Sequence, residues 1–352
     1  MKVILHIGSG KTGTSSIQQS LADSSGYLLK NGIQYPVLDG DVNHNYLTAP
    51  FRPVTPRGML QRYGSRAKVI DRTDRLWKIL AKRAKRHPQH TLVLSAEALL
   101  YLGDVDGFCR RLNAEIPSIS EVEIVVYLRR PSSHFAAKTQ QSLRASSKVL
   151  QPVRLLNAPA LRSWQKHGQL RISEFHKPLL RDQDVVSDFW HNTFPAVEPA
   201  ASAGSVNENV SLSGEGMALL QRYRCRFCAD KDGLFLPQTD SLIRLIGQLE
   251  KSNSQNIVFD RPSLHADVRD FIDYSTNDNN EVADEFGFRF SQLKACKATP
   301  TLKSRPFARV EDVMKVDFGK VVGLHEMLTR TRHLPFSQAR KLVSQLRQMD
   351  LT

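Results

Sequence analysis

Residues 1–16 read MKVILHIGSGKTGTSS, a short apolar run followed at once by glycines and hydroxyls. The run at 2–7, KVILHI, predicts a buried strand. Gly8, Gly10 and Gly13 then permit a tight turn, and a helical pattern starts near Thr14 and continues to Leu21. A strand, a glycine-rich loop and a helix in this order open a nucleotide-binding fold. The expected class is therefore α/β: a P-loop-like, three-layer arrangement in which helices flank a central, mostly parallel sheet. The turn also brings backbone amides, the Lys11 ammonium and the hydroxyls of Thr12, Thr14, Ser15 and Ser16 to a helix start, and these are the groups that hold tetrahedral anions. A glycine turn whose Lys11 merely faces solvent is the plainer alternative. The loop is not a Walker A sequence, because GxxxxGKT ending in Gly10, Lys11 and Thr12 needs glycine at position 5, where Leu5 stands. Nor is a G-x-G-x-x-G in the required dinucleotide-binding pattern read here, so NAD chemistry is not expected.

Further along the chain, Gln34 and Tyr35 suggest a second strand, and PVLDGDVNHNY after them a loop over the carboxyl edge of the sheet. TLVLS at 91–95 and EIVVYL at 123–128 are strands, the second apolar enough for the middle of a parallel sheet. Both end in polar residues, Ser95 and Glu97 after one, Arg129 and Arg130 after the other. Ligands of open α/β sheets bind outside the carboxyl ends of the strands, which gathers these residues with the 8–16 loop in one crevice. Pro131 stands where it can start a helix carrying Phe135, Gln141 and Leu143. LRISEF at 170–175 reads as a further strand, with helices near 184–191, 214–227 and 239–251. Residues 196–209, rich in Ala, Ser and Asn, read as a connector or lid, and 267–285 holds seven acids with Arg269 as its one Lys or Arg. The expected organisation is a nucleotide-binding core over 1–195 and a mainly helical continuation or appendage over 196–352.

A chain of 352 residues with 41% hydrophobic content can bury a substantial core. Its 49 Lys plus Arg against 35 Asp plus Glu leave a formal +14, which predicts attraction to polyanions, anionic surfaces or phosphorylated small molecules. Nine of those cations fall in 66–86, where Leu76, Ile79 and Leu80 form an apolar stripe and Arg72, Arg75, Lys78, Lys82, Arg83, Lys85 and Arg86 crowd the wet side of a surface helix. A solvated helix face and an anionic acceptor site fit this pattern equally. Nucleic acid is not the expected partner, because aromatics do not interleave with the patch as a stacking platform requires. Cys225 and Cys228 form a CxxC without a second pair or a neighbouring His, so reduced cysteines are expected and no metal site. The first apolar run is too short for a signal peptide, and no run reaches membrane-span length. The expectation is a cytoplasmic protein, with peripheral membrane contact open through the basic face.

The segment KTGTSSIQ resembles the 5'-phosphosulfate loop of sulfotransferases that use 3'-phosphoadenosine-5'-phosphosulfate (PAPS), and HIGSGKTGTSSIQQSL is similar to the form common in bacterial carbohydrate-type members. VVYLRRP at 125–131 resembles the family's 3'-phosphate segment, followed by a helix with Gln140 and Gln141. TLVLSAEAL, RISEF and DVVSDFW also look like recurring family segments, so the resemblance covers residues 1–190 and thins beyond. It implies that Lys11 contacts the bridging and sulfonate oxygens of the donor. Gly10, Thr12, Gly13, Thr14 and Ser15 wrap the 5'-phosphate on the same reading, and Arg129 meets the 3'-phosphate. The family serine eight residues after that arginine falls on Ala137, a departure for which Ser133 or Arg130 are the candidate substitutes.

Sulfonate transfer also needs a group to take the acceptor proton. His44, in the polar loop, titrates in the right range and is the first candidate, although a structural hydrogen bond would explain it equally. Glu97 resembles a recurrent family acid and could instead cap a helix, Asp39 and Asp41 form a third choice, and His6 reads as structural. The expected acceptor is a glycan or glycolipid hydroxyl or amine. An aromatic alcohol would need an apolar pocket built from residues such as Trp164, Phe175 and Trp190. An ATP-dependent small-molecule kinase and a noncatalytic nucleotide-binding protein are the alternatives.

Overall fold

Five apolar runs pair into one parallel sheet: β1 (Lys2–His6), β2 (Ile33–Gln34), β3 (Thr91–Ser95), β4 (Glu121–Leu128) and β5 (Gln169–Glu174), in the order β2-β3-β1-β4-β5. The computed structural model describes residues 1–198, 211–252, 257–294, 300–330 and 339–351. Its α-helices begin with α1 (Thr14–Asp23), α2 (Ser25–Lys30), α3 (Arg57–Tyr63), α4 (Arg66–Arg86), α5 (Val105–Glu115), α6 (Pro131–Leu143), α7 (Ala158–Gln165) and α8 (Val185–Thr193). They continue as α9 (Gly214–Phe227), α10 (Pro237–Lys251), α11 (Ala266–Tyr274), α12 (Asp278–Phe286), α13 (Val310–Val313), α14 (Phe318–Arg330) and α15 (Ala339–Arg347). This is the expected α/β class, a parallel sheet flanked by helices with a helical C-terminal region. Of the connector expected over 196–209, residues 199–209 lie outside the described residues, as does Cys296.

The described residues divide into two units. One takes those within Met1–Arg130, Leu156–Asn207 and Asn277–Lys294, the other those within Pro131–Leu155, Glu208–Thr276 and Ala295–Thr352. In the first unit the two-residue period of the strands sorts side chains to opposite faces. Val3, Leu5, Leu94, Ile124 and Val126 pack with Leu76, Trp77, Phe108 and Trp164 of α4, α5 and α7. Ile4, Val93, Val125 and Tyr127 pack with Ile17, Leu21, Phe189 and Trp190 of α1 and α8. Trp164 and Trp190 are thus core residues. Each donates its indole N–H inside the unit, to Leu99 O at 3.1 Å and to Ser20 Oγ at 3.1 Å.

Helices make up most of the described second unit, packing Met217, Leu220, Tyr223, Ile246, Ile272 and Leu324 together. Arg224 of α9 is fully buried there and acts as a clamp, donating to Arg144 O, Ala145 O, Lys231 O and Thr239 Oγ1. Cys225 is exposed, Cys228 is buried, and both are free thiols.

The basic helix corrects one expectation. Arg72 is on the buried face of α4, only 2% exposed, with its guanidinium on Asp39 Oδ2 (3.1 Å) and Asp41 Oδ2 (2.6 Å) and over the Tyr46 ring. Ile79, expected in the apolar stripe, is exposed. The buried stripe is Val69, Thr73, Leu76, Trp77, Leu80 and Ala84, with Arg72 completing it because two carboxylates neutralise its charge. Acids of the 267–285 stretch likewise serve as anchors. In the second unit Asp273 accepts the Ser132 N–H and hydroxyl, and in the first Asp278 accepts the Ala158 N–H while Glu281 and Glu285 pair with Arg162.

Candidate functional site

β1 is the central strand, so its carboxyl end opens between those of β3 and β4. The register sets His6 beside Ser95 on one side and Val125 on the other. From there the chain enters the 7–13 turn with three left-handed backbone positions: Gly8 (φ +54°), Lys11 (φ +69°) and Gly13 (φ +74°). For a residue with a Cβ such a conformation costs about 1–2 kcal/mol, and Lys11 is held in it from outside. Arg129, just past β4, donates from Nη1 to Lys11 O at 3.0 Å, with its guanidinium over the Phe175 ring. Gly13 is the N-cap of α1, which has neither a side-chain cap nor an acidic residue in its first turn. A helix start left in that state presents amides and the positive end of the helix dipole to an anion.

The hydroxyls divide into two sets. Thr12 is fully buried and donates to Ser9 O at 2.6 Å, and Thr14 donates to the same carbonyl at 3.3 Å. Both therefore hold the turn closed, so toward an incoming anion Thr12 offers its amide rather than its hydroxyl. Ser15 is exposed at the helix start. Glu97, two residues past β3, is exposed and adjoins the turn: a Cβ added to Gly10 would sit 3.8 Å from Glu97 Oε2, and one added to Gly8 3.1 Å from Glu97 Cα.

His44 is elsewhere in chemical terms. It is 2% exposed, its Nδ1 accepts the Ser95 N–H at 2.9 Å, and its Nε2–H donates to Pro36 O at 2.9 Å. Burial pushes its pKa down to about 4. With both ring nitrogens spent on backbone, the imidazole is a neutral clamp on the 36–44 loop and has no lone pair to offer an acceptor. Asp39 and Asp41 are committed to Arg72.

Ser95, which the sequence placed at the strand end facing the crevice, is also the hub of a hydrogen-bond network that the sequence did not show. His6 Nδ1 meets its Oγ at 2.8 Å, Gln18 Nε2 of α1 donates to the same Oγ at 3.2 Å, and His44 holds its amide. His6 is fully buried, with its pKa pushed down to about 3 by burial and its Nε2 without a partner among the described residues. The signal for Ser95 was its place at the end of a strand beside β1, but the alternation of a short apolar run says nothing about side-chain hydrogen bonds.

The first unit thus brings together Gly10 to Ser15, Arg129 and Glu97. Ser133 stands in the first turn of α6 in the second unit, next to the Ser132 that Asp273 caps. Among the described residues no three or more His, Cys, Asp or Glu side chains gather as a metal site, and no helix is long and apolar enough to cross a membrane.

One expectation is corrected here: Gly8, Gly10 and Gly13 do have the G-x-G-x-x-G spacing of dinucleotide-binding turns. The rest of that pattern departs. Tyr35 rather than an acid follows β2, and β3 rather than β2 lies beside β1.

No family model matches this chain, and no curated protein matches it. Among solved structures, the crystal structure of a sulfotransferase from Alicyclobacillus acidocaldarius is similar to it over 58% of this chain and 86% of that one, at 16% identity and a TM-score of 0.33.

Proposed function

We propose that this chain is a sulfotransferase that moves a sulfonate group from PAPS to a hydroxyl or amine of an acceptor. One observation carries the reading, the hydrogen bond from Arg129 to Lys11 O. It joins the two segments, 118 residues apart, that the sequence resemblance pairs as 5'- and 3'-phosphate elements. On this reading the amides at the open start of α1 and the turn from Gly10 to Ser15 hold the 5'-phosphate. The Lys11 ammonium neutralises the charge that develops on the leaving phosphate oxygen. Arg129 takes the 3'-phosphate. The acceptor oxygen or nitrogen attacks sulfur, the bond from sulfur to the phosphate oxygen breaks, and the acceptor proton passes to a base. Glu97 is the better base, since it adjoins the turn and is open to an acceptor, whereas His44 is a positioning residue acting through Ser95. The products are a sulfated acceptor and 3'-phosphoadenosine-5'-phosphate, and the scheme uses no metal. A glycan or glycolipid acceptor in the cytoplasm, or at a membrane surface met through α4, is the corresponding partner.

Calorimetric titration with 3'-phosphoadenosine-5'-phosphate and with ATP tests the donor site. The bisphosphate should bind selectively. Lys11→Ala should weaken it by about 10- to 100-fold, the worth of one charge-assisted hydrogen bond. Preference for ATP, or binding indifferent to Lys11, overturns the assignment.

A further inference from the structure

The segment that carries Glu97 is tied down on both sides of that residue. Toward β1, the Ala96 N–H donates to His6 O at 3.0 Å and the Leu100 N–H to Ile7 O at 3.2 Å. From the loop after β2, two consecutive residues grip the same stretch. The His44 N–H donates to Ser95 O at 2.9 Å while its Nδ1 accepts the Ser95 N–H, and Asn45 Oδ1 accepts the Ala98 N–H at 3.2 Å. His44 and Asn45 therefore bracket Glu97, one holding the residue two before it and the other the residue after it.

Asn45 is itself anchored. Its N–H donates to Asn43 Oδ1 at 3.1 Å, and its carbonyl accepts the Thr48 hydroxyl at 2.7 Å. It begins the 3-10 turn Asn45–Phe51, of which Leu47, Thr48 and Ala49 are buried. The side-chain oxygen thus reaches Ala98 from a fixed base. Glu97 is exposed, and its backbone lies against the 7–13 turn, where a Cβ added to Gly8 would come within 3.1 Å of Glu97 Cα. A group that takes a proton as a bond forms must be held in place, and a misplacement of about 1 Å costs up to about 100-fold in rate.

We propose that Asn45 is a positioning residue for the transfer step, holding the Ala98 amide so that the Glu97 carboxylate stays at the rim of the turn. The proposal rests on the sulfotransfer reading, in which Glu97 is the base.

Hydrolysis of PAPS by the full-length protein, with water as the acceptor, tests it. Water oxygen attacks sulfur, the bond from sulfur to the phosphate oxygen breaks, a proton passes to Glu97, and sulfate and 3'-phosphoadenosine-5'-phosphate leave. The wild type should hydrolyse PAPS faster than buffer alone. Asn45→Ala should lower kcat by about 10- to 100-fold and leave KM for PAPS within about twofold. Asn45→Asp, whose carboxylate accepts the same N–H, should bring kcat back to within about threefold of the wild type. Amide exchange reads the bond itself: Ala98 should exchange about three- to tenfold faster in Asn45→Ala and at the wild-type rate in Asn45→Asp, with Leu100 alike in all three. A parallel bisphosphate titration counts the intact donor sites, to which each kcat is referred. An unchanged kcat in Asn45→Ala, a loss that Asn45→Asp does not restore, or Ala98 exchange indifferent to Asn45 overturns the proposal. So does a wild type that binds the bisphosphate and hydrolyses no PAPS. A wild type that binds no bisphosphate sinks the sulfotransfer reading instead, and the hold of Asn45 on the segment then stands or falls by Ala98 exchange.

Discussion

Gly13→Ala should damage the candidate site by destabilising the unit that carries it. Two costs add at this position. The backbone is left-handed at φ +74°, which costs a residue with a Cβ about 1–2 kcal/mol. The new Cβ would also lie 2.5 Å from Val185 Cγ1 and 3.3 Å from Phe175 Cε2, so α8 or α1 must shift, at roughly 1–3 kcal/mol for overpacking. Together they predict a loss of roughly 2–5 kcal/mol, a large part of the stability of an ordinary domain. Gly10→Ala is the control, since its φ is not positive and its nearest atom is at an ordinary 3.8 Å, which predicts a change within about 0.5 kcal/mol. Tryptophan fluorescence during urea unfolding reads the relevant unit selectively, because Trp77, Trp164 and Trp190 are all the tryptophans of the chain, all are buried, and all lie in the first unit. A Gly13→Ala loss below about 1 kcal/mol, or one no larger than that of Gly10→Ala, would refute the account of why the turn ends in glycine.

Glu97→Gln should leave bisphosphate affinity within about twofold and cut sulfonate transfer by about 10²- to 10⁴-fold, read with a radiolabelled sulfonate donor; an unimpaired rate removes Glu97 as the base. Acid should weaken the first unit through His6 and His44. Their folded pKa values, about 3 and about 4, lie below the ordinary 6.5, so the unfolded chain takes up protons first. The stabilising contribution is complete above about pH 6.5 and is lost as pH falls toward 4, at up to about 1.4 kcal/mol per histidine per pH unit. Tryptophan-detected urea midpoints at pH 7, 6 and 5 check this, and a flat series in that range contradicts it. Glu250 in the second unit works in the opposite direction. Burial raises its carboxyl from 4.5 to about 7 while it accepts the Ser213 N–H and hydroxyl, so its favourable contribution is complete below pH 4.5 and lost as pH rises through 7. Glu250→Gln should therefore increase amide-exchange protection of α9 and α10 at pH 8 and leave it unchanged at pH 4.5.

The sheet was legible because its signals are local. The runs at 2–7, 91–95 and 123–128 are short, apolar and closed by polar residues, and each became a central strand within two residues of its expected ends. The weaker edge was less so: Gln34 and Tyr35 suggested β2, which spans Ile33–Gln34, because a two-residue pairing has almost no pattern to read. The turn was legible for the same reason, since glycines, lysine and hydroxyls between a strand and a helix have few other uses. Partnership across the chain was not. Arg72 belongs by periodicity to the buried face of α4, yet a cation there reads as an error until the 39–41 acids arrive from 31 and 33 residues away. His44 looked like a base because a histidine in a polar, Asn-containing loop usually meets water, and only the fold buries it against Ser95 and Pro36.

The buried polar residues beneath the turn also bear on how the site would meet its ligand. His6 and His44 are held neutral at pH 7 by burial, and Ser95 and Gln18 are uncharged, so the layer under the turn adds stiffness without adding field. The Lys11 ammonium, Arg129 and the open amides of α1 are positive groups at the turn, with Glu97 opposing them at the rim. That separation suits a group-transfer site. Charge that stabilises a leaving phosphate is most effective when it is fixed in place before the ligand arrives, and a neutral, hydrogen-bonded floor can fix it without repelling Lys11. Arg129 is the residue where the two demands meet, since the guanidinium that braces Lys11 in its left-handed conformation is also a cation beside the proposed anion site.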